Sequence, residues 1–243
     1  YNSEKSLCGT GLSNNWNEGH WFLTNSTVFP HGINQGASFD VDLVERIGNA
    51  TAIESRATNN LRYAQSGGQA YAAILCDGGP LANTAVHTQW GRTAESFGEC
   101  PYATGVVGRT AVNAMQQRSA EGDGQRLTTA VVTRHYMGAH QSNWLGHAAQ
   151  MNVTAREMSD HYVQPYRAQL MGASADGVMC SFSNFNGTPS CASTQLLQTE
   201  LRDAMHSDAC VVSDCCDSIT SIKSQHHMTK TYSESIALAV KAG

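Results

Sequence analysis

A (β/α)8-type barrel, complete or partial, is the α/β architecture this sequence predicts, and three observations predict it. Short apolar segments alternate along the chain with longer segments of helical period. The apolar segments lack period-two alternation, which is the pattern of parallel strands covered by helices on both faces. Charged or hydrogen-bonding residues follow several of them, and strand exits are where α/β folds present polar groups. The 243 residues suffice for one large domain, so the whole chain, 1–243, reads as one unit.

Residues 1–39 are rich in Asn, Gly, Trp and His, show little periodicity, and read as loop. Asp40 is placed as an N-cap. Leu43, Ile47, Ala50, Ala57 and Leu61 then give the apolar stripe of a helix over 40–64, ended by Gly67 and Gly68. Residues 71–76 make a short apolar strand, and 77–100 hold no regular period. Pro101 suits a first helical turn, and Val106, Thr110 and Ala114 carry that helix to about residue 117. A strand over 128–133 centres on Ala130, Val131 and Val132. Helix signals return over 154–170, with a kink expected at Pro165. A strand over 177–182 and a helix over 193–205 with Leu196, Leu197 and Leu201 follow. Cys210, Val211 and Val212 begin what reads as a buried strand, and the last helix covers 232–241.

Apolar residues make up 41% of the chain, charged residues 14%, and the formal net charge is −5. There is no Lys/Arg cluster, which argues against a nucleic-acid partner. No apolar run approaches the ~20 residues of a membrane span. A Gly-rich dinucleotide fingerprint and a phosphate loop are both absent, so no cofactor is expected. The eight cysteines fit no zinc-ribbon spacing, there is no HExxH, and His226 and His227 are adjacent, so no metal is expected. Cys180 and Cys191 flank the turn-rich SFSNFNGTPS, a loop a disulfide could staple. Asn-x-Ser/Thr acceptors occur at Asn25, Asn49, Asn152 and Asn186, more than chance would supply. These features favour a secreted, oxidising setting. No signal peptide is visible at Tyr1, as in a mature or trimmed chain.

The candidate site residues sit where the periodic segments end. Asp214 follows the last apolar strand, where it is either a reactive carboxylate or the N-cap of the next helix. Arg92 offers a rigid fork of donors that Glu95 and Glu99 could hold by ion pairs, which makes either a binding group or simply a salt-bridged loop. Arg134 and His135 follow the strand over 128–133 and could bind hydroxyls or a carboxylate. Glu18 and His20 lie beside Trp16 and Trp21, which makes either a sugar-binding surface or a loop anchored by two indoles.

The ordered set WNEGH (16–20), VFPHGINQGASFD (28–40), WGRTAESFGECP (90–101), VVTRHYMG (131–138), VMCSFSNFNGTPSC (178–191), VVSDC (211–215) and HHMTKTYSESIALAVKAG (226–243) resembles the catalytic barrel domain of glycoside hydrolase family 3, in its β-xylosidase/β-glucosidase-like branch. The resemblance implies a secreted, exo-acting, retaining glycosidase that releases terminal β-linked xylose or glucose from oligo- or polysaccharides. Asp214 would be the nucleophile. Glu18, Arg92, Arg134 and His135 would bind the sugar, Met179 and Phe182 would line the site, and Cys180 would pair with Cys191. Arg134 stands where the family usually has Lys, Phe182 where a Tyr is common, His87 and Cys100 where Asp is usual, and one extra residue separates Asp214 from Asp217. Relatives continue beyond KAG into the rest of the barrel and a second domain, which supplies the acid/base Glu; a second domain or partner chain is therefore expected to complete the site. The alternative reading is a catalytically degenerate member that acts as a structural or glycan-binding subunit.

Overall fold

The computed structural model describes residues 27–65, 75–76, 79–117, 127–138, 149–214 and 217–243. Four strands, β1 (Leu75–Cys76), β2 (Ala130–Tyr136), β4 (Gly177–Cys180) and β7 (Cys210–Ser213), pair in parallel in the order β1-β2-β4-β7. A smaller sheet orders β3 (Gln150–Met151), β5 (Asn184–Phe185) and β6 (Thr188–Pro189). Helices alternate with the parallel strands, as expected. Among the described residues the parallel sheet is open and does not close into a barrel.

The first helix, α1 (Gly32–Ser38), falls where the sequence reads as loop. Its GINQGAS sequence has two glycines and no capping side chain, so local propensity is poor. Tertiary contact holds it instead. A Cβ on Gly32 would lie 2.2 Å from the Glu95 carbonyl oxygen, and one on Gly36 would lie 1.8 Å from that of Phe97. Only glycine lets this helix rest on the backbone of the 93–98 loop.

Asp40 caps the next helix, α2 (Val41–Gln65): its Oδ1 accepts from the Leu43 N–H at 2.9 Å. The buried face is rotated one residue from the expected stripe. Val44, Ile47, Thr51, Ala52 and Ser55 are buried, whereas Leu61 is exposed. Small polar residues fill this face, and Thr51 returns its hydroxyl to the Ile47 carbonyl, so an apolar-only stripe misplaces it. Helix α3 (Pro101–Met115) packs between α2 and α4 (Gln164–Leu170). It buries Thr104, Val107, Ala111, Ala114 and Met115, so that of the expected stripe Ala114 is buried while Val106 and Thr110 are half-buried. The break expected at Pro165 is a change of winding: a capped turn, Ala155–Glu157, runs into a π-wound turn, Met158–Tyr162, before Pro165 enters the first turn of α4.

Helix α5 (Gln195–Ala204) is π-wound and buries Leu196, Leu197 and Leu201. The strand that reads as buried, β7, is half-covered: Cys210 is exposed and the other three residues are intermediate. Among the described residues β7 pairs only with β4, so it forms an edge of this sheet. Two further helices follow it, α6 (Asp217–Ser224) and α7 (Tyr232–Ala242), the latter with a complete capping box of Thr231 and Glu234. No described helix is long and apolar enough to cross a membrane.

Candidate active site

Register brings the site together. Arg134 of β2 pairs with Met179 of β4, which pairs with Val212 of β7; Tyr136, Cys180 and Ser213 form the next rung. His135 lies between those rungs, and Asp214 directly follows the last one. Both are buried, at 1% and 5% exposure, and His135 Nε2 stands 3.5 Å from Asp214 Oδ2. The strand β2 is longer than expected, so Arg134 and His135 lie inside its C-terminal end rather than beyond it.

The 79–98 loop supplies one cation, Arg92, and the carboxylate, Glu95, that supports both Arg92 and Arg134. Its start continues the sheet, with the Ala82 N–H donating to the Arg134 carbonyl at 2.8 Å. Trp90 and Phe97 anchor it in the core. Arg92 grips Glu95 with two parallel hydrogen bonds of 2.6 and 2.7 Å, and Arg134 Nη2 reaches the same carboxylate at 3.3 Å. Burial alone would raise the Glu95 pKa. The Arg92 hydrogen bond and the charges of Arg134, Arg92 and His31 outweigh it and hold the carboxyl below the usual glutamate range. Glu95 thus braces two guanidinium groups, one of which, Arg92, presents Nη1 to His135 Nε2 at 3.2 Å. Of the two carboxylates expected to hold Arg92, Glu95 does so, whereas Glu99 is exposed and does not reach it. His87, at the position where family members carry Asp, is exposed.

Asn83 and Tyr166 belong to this site although sequence reasoning singles out neither. Asn83 is fully buried and hydrogen-bonds both the backbone and the ring of His135. The Tyr166 hydroxyl donates to the His135 carbonyl, and burial, with Tyr136 nearby, pushes its pKa well up despite the Asn83 bond. The only available signal for Asn83 is its position just after the apolar Leu81 and Ala82 and before QWGR.

The other expected residues divide. Met179 is buried on the central strand of the site. Phe182 is half-buried, two residues past β4, and its carbonyl accepts from His226 Nε2 at 2.7 Å. That loop is closed by the Cys180–Cys191 disulfide, with a Cα–Cα distance of 5.2 Å. Glu18 and Asn25 lie outside the described residues. Asn49 is half-buried within α2, and Asn152 is exposed. Asn186 is exposed at a turn, its side-chain amide paired both ways with the Val153 backbone at 2.8 and 3.0 Å. Among the described residues no cluster of three or more His, Cys, Asp or Glu could hold a metal ion.

Parallel strands that deliver a buried aspartate, an imidazole and braced arginines to one rim define an α/β domain with a polar site at the strand exits. The chain belongs to glycosyl hydrolase family 3, as its N-terminal domain, whose family model matches residues 12–243. It is 33% identical over 221 residues to Beta-D-xylosidase 1 of Arabidopsis thaliana, covering 90% of this chain and 27% of that protein. It is 29% identical over 243 residues to the exo-1,4-beta-xylosidase xlnD of Emericella nidulans, covering 98% of this chain and 28% of that one. A solved GH3 exo-beta-xylosidase (XlnD), in complex with a xylobiose aziridine activity-based probe, superposes with a TM-score of 0.79 at 26% identity, over 96% of this chain and 33% of that chain. The beta-glucosidase EmGH1 of Erythrobacter marinus superposes with a TM-score of 0.74 at 27% identity, over 88% of this chain and 26% of that one. The chain thus spans about a quarter to a third of the length of these relatives.

Proposed function

We propose that this chain is the nucleophile-bearing part of a secreted, retaining exo-glycosidase that releases terminal β-linked xylose or glucose. The observation that carries the reading is Asp214, buried at the exit of β7 within 3.5 Å of His135, which itself contacts Arg92. In this reading Asp214 attacks the anomeric carbon and holds the glycosyl group as an ester. Arg92, Arg134 and His135 bind sugar hydroxyls. In the same reading Met179 and Phe182 line the site, and Glu18 is a further sugar-binding residue. A carboxyl group from a second domain or partner chain protonates the departing oxygen, about 5–5.5 Å from Asp214. The same remainder of the protein closes the open sheet into a (β/α)8 barrel. The xylosidases and glucosidases among the relatives support this substrate class, and the disulfide and the sequons support secretion.

The test uses the complete protein. An activated 2-fluoro xyloside or glucoside should label one peptide, the one containing Asp214, and Asp214→Asn should lose both labelling and nearly all turnover while keeping its unfolding midpoint. Labelling of another residue, or full turnover by Asp214→Asn, would overturn the assignment.

A further inference from the structure

We propose that Asn83 is a positioning residue that fixes the tautomer of His135, and with it the direction in which the imidazole meets Arg92 and Asp214. The assignment of atoms follows from chemistry. The backbone N–H of His135 can only donate, so the Asn83 atom 2.7 Å from it is the amide oxygen, Oδ1. The same oxygen lies 3.3 Å from His135 Nδ1. An amide oxygen has no proton to give, so Nδ1 carries the hydrogen. In the neutral ring Nε2 is then a bare acceptor. It faces Arg92 Nη1 at 3.2 Å, a group that can only donate. Both ends of the ring therefore demand the same tautomer.

The other end of Asn83 holds the frame rigid. Nδ2 donates to the His135 carbonyl at 3.2 Å and to the Tyr166 hydroxyl at 3.0 Å. The backbone carbonyl of Asn83 is tied by the Ser96 hydroxyl at 2.8 Å, in the loop that carries Arg92 and Glu95. Asn83 thus joins the strand bearing His135 to the loop bearing Arg92.

The consequence concerns Asp214. With Nδ1 protonated and the ring neutral, the 3.5 Å approach of Nε2 to Asp214 Oδ2 carries no donated proton. His135 then accepts from Arg92 and steadies that guanidinium for a sugar hydroxyl. An imidazolium would reverse this, donating to Asp214 and repelling Arg92. Among the described residues, the charged and titratable groups around His135 include Arg92 and Asp214 at Nε2, from the loop and from β7; Glu95 behind Arg92; Tyr166 of α4 on the His135 carbonyl; and Arg134, the preceding residue of its own strand, held on Glu95.

The mechanistic part of this proposal rests on the glycosidase reading, but the tautomer does not, and the experiment separates them. Imidazole-15N-labelled chain is studied by long-range 1H–15N correlation, with the His135 peak identified by its loss in His135→Gln. Above the titration of the ring, Nδ1 should show the protonated pattern and Nε2 the unprotonated one; the opposite pattern overturns the proposal whether or not the protein cleaves sugars. Asn83→Asp keeps the shape and places a carboxylate on Nδ1–H, so the His135 titration should move to higher pH. An unmoved titration in folded Asn83→Asp also overturns the proposal. In the complete protein the acid limb of kcat/KM for an aryl β-xyloside should rise in pH with the same substitution. A displaced titration with an unmoved acid limb would overturn the positioning role while leaving the tautomer and the glycosidase reading intact.

Discussion

Glu95→Gln is the substitution that most directly tests how the site is held. The carboxylate is shared by Arg92 at 2.6 Å and Arg134 at 3.3 Å, and its side chain is 15% exposed. The two arginines differ: Arg134 is 6% exposed and Arg92 33%. Removing one partner of a fully buried ion pair costs about 3–5 kcal/mol, whereas an exposed pair contributes under about 1 kcal/mol. Here one cation is buried and the other is partly screened by water, so the loss should be about 2–4 kcal/mol. At this chain length that lowers the unfolding midpoint by roughly 5–15 °C. The pH dependence is the sharper test. The Glu95 pKa is depressed in the fold, so the unfolded chain takes up its proton first as pH falls. Its contribution is complete above the ordinary glutamate range and is lost as pH drops through the folded value. Urea unfolding of wild type and Glu95→Gln should therefore show a gap at neutral pH that narrows in acid. A gap that is absent at neutral pH, or that persists unchanged below the glutamate range, would refute the account of Glu95 as an ionised brace.

Three further outcomes are expected. Cys100 is the exposed, extended N-cap of α3 and makes no capping bond; Cys100→Asp should add about 1 kcal/mol, seen as a raised thermal midpoint. Breaking the Cys180–Cys191 link with Cys191→Ser should remove about 3 kcal/mol, read from denaturant midpoints, because the bridge closes a loop with a sequence separation of 11. Gly36→Ala would gain about 1 kcal/mol from helix propensity alone, but its Cβ would stand 1.8 Å from the Phe97 carbonyl oxygen. Overpacking of that kind costs about 1–3 kcal/mol, so the variant should be the less stable one by calorimetry, and a stabilised Gly36→Ala would show that α1 does not rest on the 93–98 loop.

The fold was legible where burial and backbone pattern coincide. The strand centres at Ala130 to Val132 and at Val178 to Cys180, and the leucines of α5, are apolar because helices and strands enclose them. It was illegible where one of those conditions fails. Helix α1 exists because two missing side chains admit a neighbour's backbone, and a missing side chain leaves no periodic signal. The α2 face differs from the apolar stripe because Thr51 and Ser55 are buried there while Leu61 is not; a small hydroxyl residue such as Thr51 satisfies its own polarity within the helix and so escapes an apolar count. The apolar run Cys210, Val211 and Val212 predicts a buried β7, but burial depends on neighbours, and the sequence of a strand does not say how many strands flank it.

The site shows the same division at the level of chemistry. Charged residues near strand exits are conspicuous, so Asp214, Arg134, His135 and Arg92 are legible as candidates from the sequence, and so is Glu95 as one of two carboxylates close to Arg92. Arg134 joining that grip is a tertiary fact: nothing in the order of residues 92, 95 and 134 brings the second guanidinium to the same carboxylate. Asn83 is hidden for a deeper reason. It is neutral, belongs to no charge pattern, and acts on His135 from a distance of 52 residues along the chain. Its effect is to settle which nitrogen of another residue holds a proton, a choice between two forms of equal composition. The charged groups at a strand exit can be found by their type, whereas the groups that set the protonation of those residues are found only by following each hydrogen bond to the atom that must donate it.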